Sequence, residues 1–392
     1  MTDAASIQDR EDRAGDRGSE GASPGGGHPP AGAASPGLVR SLIRLARLHQ
    51  WSKSAFVLVG PFYAAQSPDG FDWVLMGLSV VLAAAAFGLA SSGCYVFNDL
   101  ADAERDRAHP RKRFRPIASG VVTAGTAKRF GTVLLLAGVG LALLIPGAGR
   151  WWVSLFVVLH IANVTSYTAG LKQIPIVDVM SLSMGFVLRV LAGCAAIGLW
   201  PTTWLLNVTL FLSMTLAFGK RLGERRTMGS AAAATAARRV QGLYSDDLLR
   251  MLLVVSAVAT LLTYAAYVVT REPDYSVGGF GLDAGGGFNL LWLTVLPATF
   301  GLLRAIMLLE QGAYDDPTEL AVHDRAFQVA AGLFGVITLV LMLTVAGRAT
   351  PPTSDPPTTG GPAGMSAAPA SLDGPPSMGS RHDSCIFYPV VV

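Results

Sequence analysis

Long apolar runs alternate along the chain with short charged connections. The runs fall at about 53–67, 71–97, 121–146, 151–170, 176–198, 202–219, 248–270, 288–309 and 326–347. A run of roughly 18 or more apolar residues can cross the hydrocarbon core of a bilayer as a helix, about 30 Å in all. Inside that core every backbone polar group must be paired within the protein. The pattern predicts an all-α, polytopic membrane bundle of about nine transmembrane helices, the first of them short.

The polar positions give the bundle a direction. The connections after the even-numbered runs hold nearly all the basic residues: Arg105, Arg107, Arg111, Lys112, Arg113 and Arg115, then Lys172, then Lys220 and Arg221 through Arg239, then Asp324 with Arg325. The opposite connections carry little beyond Arg150 and Arg271. Lysine and arginine accumulate in cytoplasmic loops, so the amino terminus and the charged loops are expected in the cytoplasm and the carboxyl tail outside.

Composition agrees. Of 392 residues, 51% are hydrophobic and 15% charged, a membrane balance rather than a soluble one. The formal net charge of +3 is too small to point to nucleic acid. Cys94, Cys194 and Cys385 form no CxxC pair, so neither a thiolate metal site nor a required disulfide is expected. Residues 1–37 and 350–392 are rich in Gly, Ser and Pro and read as a disordered leader and a low-complexity tail. The membrane domain occupies 38–349.

The chemistry concentrates after the second run. If that helix continues, Asn98, Asp99, Asp102 and Asp106 share an arc of about 100°. Three carboxylates and an amide on one face suit Mg²⁺, a hard cation that binds carboxylate, water and phosphate oxygens. A solvated, charge-rich helix end is the plainer alternative. The basic stretch Arg111, Lys112, Arg113 and Arg115 follows at once, after His109 and Pro110. A metal-bridged diphosphate needs acids on the metal side and bidentate cations on its free oxygens.

Three weaker groups accompany it. Tyr167, Lys172, Asp178 and Arg189 bracket the fifth run, where intramembrane charges face a polar cavity or pair between helices. Lys220, Arg221 and Glu224 end the sixth run and read as phosphate ligands or as ordinary flanking charge. Glu319, Asp324 and Arg325 precede the ninth and read as capping and pairing charges or as functional groups. His160 and Asn163 are expected to be satisfied polar residues of the bundle.

The string Asn98 to Asp106, NDxxDxxxD, followed by Arg115, Pro116 and Gly120, resembles the first signature of the UbiA superfamily of intramembrane prenyltransferases. Tyr167, Leu171, Lys172, Asp178, Arg189, Ala192 and Gly193 resemble its second. The run from Asp106 to Gly120, with Gln50, Trp51 and Lys53 before the first span, is similar to the branch that transfers phosphoribose. His49 and Ser54 depart from that branch. Asp178 is followed four residues later by Leu182, so the second DxxxD of aromatic prenyltransferases is missing.

The resemblance implies Mg²⁺-dependent transfer of 5-phosphoribose from phosphoribosyl diphosphate (PRPP) to a polyprenyl, here decaprenyl, phosphate. That is a step toward cell-wall arabinan, made by a multi-pass protein of the cell membrane with its active site facing the cytoplasm. It implies metal ligation by Asn98, Asp99, Asp102 and Asp106, with catalysis resting on the three aspartates. Substrate contacts would come from Lys53, Lys112, Arg115, Tyr167, Lys172, Asp178, Arg189, Lys220 and Arg221. Prenyl transfer to an aromatic acceptor is the nearest alternative, a transporter or membrane scaffold the more distant one. Self-association is left open.

Overall fold

The computed structural model of the chain describes residues 37–64, 72–108, 112–227, 242–277, 287–311 and 323–348. Most of the expected leader and tail, His109 to Arg111, Arg238 and Arg239, and Glu319 lie outside the described residues.

A nine-residue helix α1 (Leu38–Ala46) leads into a 3-10 helix, Leu48–Leu58, and a short α2 (Val59–Ala64). The long α3 (Trp73–Ala101) follows, then α4 (Ala103–Ala108), α5 (Ala124–Leu143), α6 (Gly149–Ala169), α7 (Val177–Ala196) and α8 (Thr203–Thr227). The chain continues with α9 (Asp246–Thr270), α10 (Glu272–Tyr275), a two-residue antiparallel pairing of β1 (Ser276–Val277) with β2 (Phe288–Asn289), α11 (Val295–Glu310) and α12 (Arg325–Arg348).

Side chains start several of these helices by binding free backbone N–H groups. Asp72 accepts from Val74 and Leu75, Thr123 from Thr126, Ser245 from Leu248 and Asp324 from Phe327.

Among the described residues eight helices are long and apolar enough to cross a membrane, against nine apolar runs in the sequence. The difference lies in the first run. Its 3-10 portion rises about 2.0 Å per residue, so Leu48 to Ala64 end to end cover about 31 Å, still a bilayer's hydrocarbon thickness. Close packing accompanies the narrower winding. A Cβ on Gly193 of α7 would collide with the Val57 carbonyl. The Trp51 ring lies over Gly88, and its indole donates to Ser92 at 3.0 Å. Small residues let helix backbones approach in this way within membranes.

The helices enclose one core between the 3-10 segment, α3, α5, α6 and α7, around Phe87, Ile145 and Val157. A second core joins α7, α8 and α9 around Phe218, Leu222 and Tyr244. The two ends differ in chemistry. Trp73, Trp151, Trp152, Trp200 and Trp292 are exposed at one end, as befits an aromatic belt at a membrane interface. At the other, ion pairs Arg225–Asp246, Arg250–Glu310 and Arg304–Asp324 tie the helix ends together. The expected pattern of charged connections at one end is therefore met among the described residues.

Candidate active site

At the charged end α3 continues past the apolar run, as the acidic face required. The helix breaks at Asp102, whose φ is −91° and ψ 0°, and resumes as α4. The i to i−4 ladder nonetheless bridges the break, Asp106 N–H donating to the Asp102 carbonyl at 2.9 Å. Asn98, Asp99, Asp102 and Asp106 stay together as a result.

Cations surround these acids. Arg115 Nη1 stands 3.2 Å from Asp99 Oδ1 and 2.7 Å from Asp106 Oδ2, clamping two carboxylates with one nitrogen. Arg47 Nη2 approaches Asp99 Oδ1 to 2.5 Å while its guanidinium covers the Tyr95 ring at 5.1 Å. Lys172 Nζ lies 3.6 Å from Asp102 Oδ1, and Asn98 donates to the other oxygen at 3.3 Å. Thr168 of α6 donates to Asn98 Oδ1 at 3.2 Å and ties a second helix to the group.

A second group forms where α7, α8 and the start of α9 meet. Arg221 Nε donates to Asp178 Oδ2 at 3.1 Å, Nη1 to Glu224 at 3.0 Å and Nη2 to the Tyr167 hydroxyl at 3.3 Å. Tyr244 donates to Asp178 Oδ1 at 2.8 Å and accepts from Ile176 N–H at 2.6 Å. Burial raises the phenol's pKa above its ordinary value, with the Asp178 hydrogen bond and charge adding to it. Tyr244 therefore keeps its proton at neutral pH and acts as the donor to Asp178.

Arg189 belongs to neither group. It lies eleven residues beyond Asp178 on α7, about 16 Å deeper along the helix axis. Its guanidinium donates to the Gly185 carbonyl at 2.7 Å and to Ser91 Oγ at 3.0 Å, and sits 3.5 Å from His160 Nε2. The Phe87 and Phe186 rings flank it, each at 5.7 Å. Asp178 pairs between helices, with Arg221, one of the two arrangements expected of a charge bordering the fifth run, whereas Arg189 turns to Ser91 and His160. Asn163 is satisfied by a reciprocal pair with Ser181, as expected. Asp324 caps α12 and binds Arg304 through both oxygens, the capping and pairing role.

Three further expected ligands lie on separate elements. Lys112 is exposed on a short 3-10 turn, Lys112–Phe114. Lys53 is half-buried on the first 3-10 segment, and Lys220 precedes Arg221 on α8. Two site residues escaped the sequence. Arg47 carried a weak signal, as the last basic residue before the first apolar run. Tyr244 carried none, standing 66 residues from Asp178.

A cavity of about 430 Å³ opens between the 3-10 segment, α8, α9, α11 and α12, lined by Phe56, Leu212, Leu216, Tyr264, Phe327 and Phe334 among others. Its wall is almost wholly apolar. The Phe56 ring on its wall meets Phe186 edge-on at 4.7 Å.

Comparison with known proteins places this architecture. Residues 54–331 match the UbiA prenyltransferase family. The chain is 32% identical over 298 residues to a decaprenyl-phosphate phosphoribosyltransferase of Mycolicibacterium smegmatis, covering 74% of this chain and 89% of that protein. A Corynebacterium glutamicum protein of the same name is 30% identical, with 75% and 84% covered. Among solved structures, a UbiA homologue from Archaeoglobus fulgidus bound to DMAPP and Mg²⁺ superposes with a TM-score of 0.53 at 15% identity, over 77% of this chain and 99% of that one. That likeness establishes the fold. With a family match over most of its length and relatives of this identity, the chain belongs to the UbiA prenyltransferase family of membrane transferases.

Proposed function

We propose that this transferase moves 5-phosphoribose from phosphoribosyl diphosphate to a polyprenyl phosphate, with decaprenyl phosphate the natural acceptor, and releases diphosphate. The observation that carries the reading is the group of Asp99, Asp102 and Asp106 at one helix end, held by the partly exposed cations Arg47, Arg115 and Lys172. The relatives named for this reaction support it, as does the missing second DxxxD at Leu182. The site faces the cytoplasm of the cell membrane, and the product feeds arabinan synthesis.

Hard oxygen donors on one helix face suit Mg²⁺, and Asn98, Asp99, Asp102 and Asp106 would hold it. Among the described residues no three acidic, histidine or cysteine side chains meet at one point. As the side chains stand, one or two of these carboxylates would ligate the ion, with phosphate and water completing its shell. Bound there, Mg²⁺ would offset charge on the departing diphosphate.

The chain's own residues do the rest. Arg115 and Arg47, only partly buried on their carboxylates, turn to the diphosphate oxygens, where guanidinium geometry gives paired hydrogen bonds. Lys53, Lys112 and Lys172 neutralise the remaining phosphate charge, and Lys220 and Arg221 add to the field. As the bond from C1 to the diphosphate oxygen breaks, diphosphate leaves with the electron pair. An oxygen of the lipid phosphate forms the new bond to C1. That phosphate is already anionic at neutral pH, so no general base is needed. The apolar cavity receives part of the lipid chain.

Membranes containing the protein, given radiolabelled phosphoribosyl diphosphate and decaprenyl phosphate with Mg²⁺, should yield a labelled solvent-extractable lipid. Label appearing only from a prenyl diphosphate, on an aromatic acceptor, would replace this reading with the prenyltransferase one.

A further inference from the structure

Between the two acidic groups the chain makes a turn that an isoleucine should avoid. Ile176 has φ 68° and ψ −48°, and Val177 N–H donates back to the Pro175 carbonyl at 2.8 Å. That is a three-residue γ-turn of the positive-φ hand, which is rare and strained. A β-branched residue at positive φ adds a further steric penalty. Strain of this kind persists only where its surroundings over-determine it, and it clusters at functional sites.

The position of the turn gives the strain a meaning. Lys172, which reaches Asp102 in the first group, stands just before it on a 3-10 turn, Leu171–Gln173. Asp178, which holds Arg221 in the second, stands just after it. The chain from Gln173 to Val177 is the direct covalent link between the two groups, and the backbone geometry at Ile176 sets their separation.

One side chain fixes that geometry. The Tyr244 hydroxyl accepts the Ile176 N–H at 2.6 Å and donates to Asp178 at 2.8 Å, so it grips both sides of Val177. Its ring is anchored among Val179, Phe218, Leu222 and Leu249, which leaves the hydroxyl little freedom. We propose that Tyr244 is a positioning residue that holds the strained Ile176 turn and so keeps Lys172 and Asp178 at the spacing the donor's phosphates require. This rests on the proposed reading only in assigning those phosphates to the donor.

The test separates the turn from the hydroxyl's other bond. Tyr244→Phe keeps the ring and removes both hydrogen bonds. Ile176→Gly removes the steric penalty, because glycine enters positive φ readily. Each variant and the double variant would be compared for magnesium pyrophosphate affinity by calorimetry, since pyrophosphate leaves in either candidate transfer, and for donor KM, kcat and thermal midpoint. Tyr244→Phe should weaken pyrophosphate binding and raise donor KM about tenfold, the scale of losing modest hydrogen bonds, with kcat within about threefold.

Ile176→Gly alone should bind as wild type does, and adding it to Tyr244→Phe should recover at least about half of the lost binding energy, a non-additivity expected of residues acting through one element. Unchanged binding in Tyr244→Phe, or a loss that Ile176→Gly leaves untouched, overturns the inference. Wild-type protein that binds pyrophosphate but transfers no phosphoribose overturns the donor assignment and leaves the role of Tyr244 decided by the binding results.

Discussion

The two acidic groups use the same residue types and differ in how water reaches them. In the first, Asp99 is 4% exposed at its side chain, but the arginines that hold it are 24% and 29% exposed and one of them serves two carboxylates. In the second, Asp178 and Arg221 are 0% and 3% exposed and each has further partners of its own. Partly solvated cations can change partners at modest cost, because exposed pairs contribute little. A sealed pair cannot, since removing one member strands a buried charge. On the proposed reading the first group exchanges its cations for a ligand's phosphates, while the second holds three helices in place.

The sharpest way to break this contrast is in the sealed group. Arg221→Met should destabilise the protein by about 3–5 kcal/mol, the usual consequence of stranding a buried partner. Thermal unfolding in detergent measures it. Asp178→Asn combined with Arg221→Met should lose less than Arg221→Met alone, because the fully buried Asp178 no longer carries a charge to strand. A melting temperature close to wild type for the single variant would show that water reaches Asp178 after all.

The open group should respond in the opposite sense. Asp99→Asn should lower transfer by about 10²–10³-fold, the scale of losing one charge-stabilising group in a reaction of this kind, while the melting temperature moves little. The assay is the labelled-lipid measurement with unfolding run on the same preparation. A collapse in stability, or activity retained within tenfold, would erase the distinction between the two groups.

Legibility in the sequence followed the range of the interactions. The helices and the acidic face of α3 were readable because apolar run length and the 3.6-residue period are local properties. The break at Asp102 was not, and neither was the 3-10 form of the first segment, which goes with the close approach of Val57 to Gly193. Residue types were legible and their partners were not. Arg189 and Asp178 share a helix, yet one binds Ser91 and the other Arg221, choices made by α3 and α8. Tyr244 could not be found at all, because its role depends on a turn 68 residues away.

The pair Arg304–Asp324 offers a third and smallest point on the same scale. It joins α11 to α12 through two hydrogen bonds, at 3.3 and 2.8 Å, and Asp324 also caps α12. The hydrogen bond from Arg304, then that from the Phe327 N–H, lower the carboxyl's pKa below its ordinary value. A carboxylate with a depressed folded pKa contributes stability above its unfolded value, about pH 4, and loses it as pH falls through the folded one. Asp324→Asn should therefore flatten the acid limb of a stability profile below about pH 4 while leaving the melting temperature at pH 7 only slightly lower. If the variant fell at pH 7 as far as Arg221→Met does, the pair would belong with the sealed group, and exposure of the cation would no longer separate exchangeable charges from fixed ones.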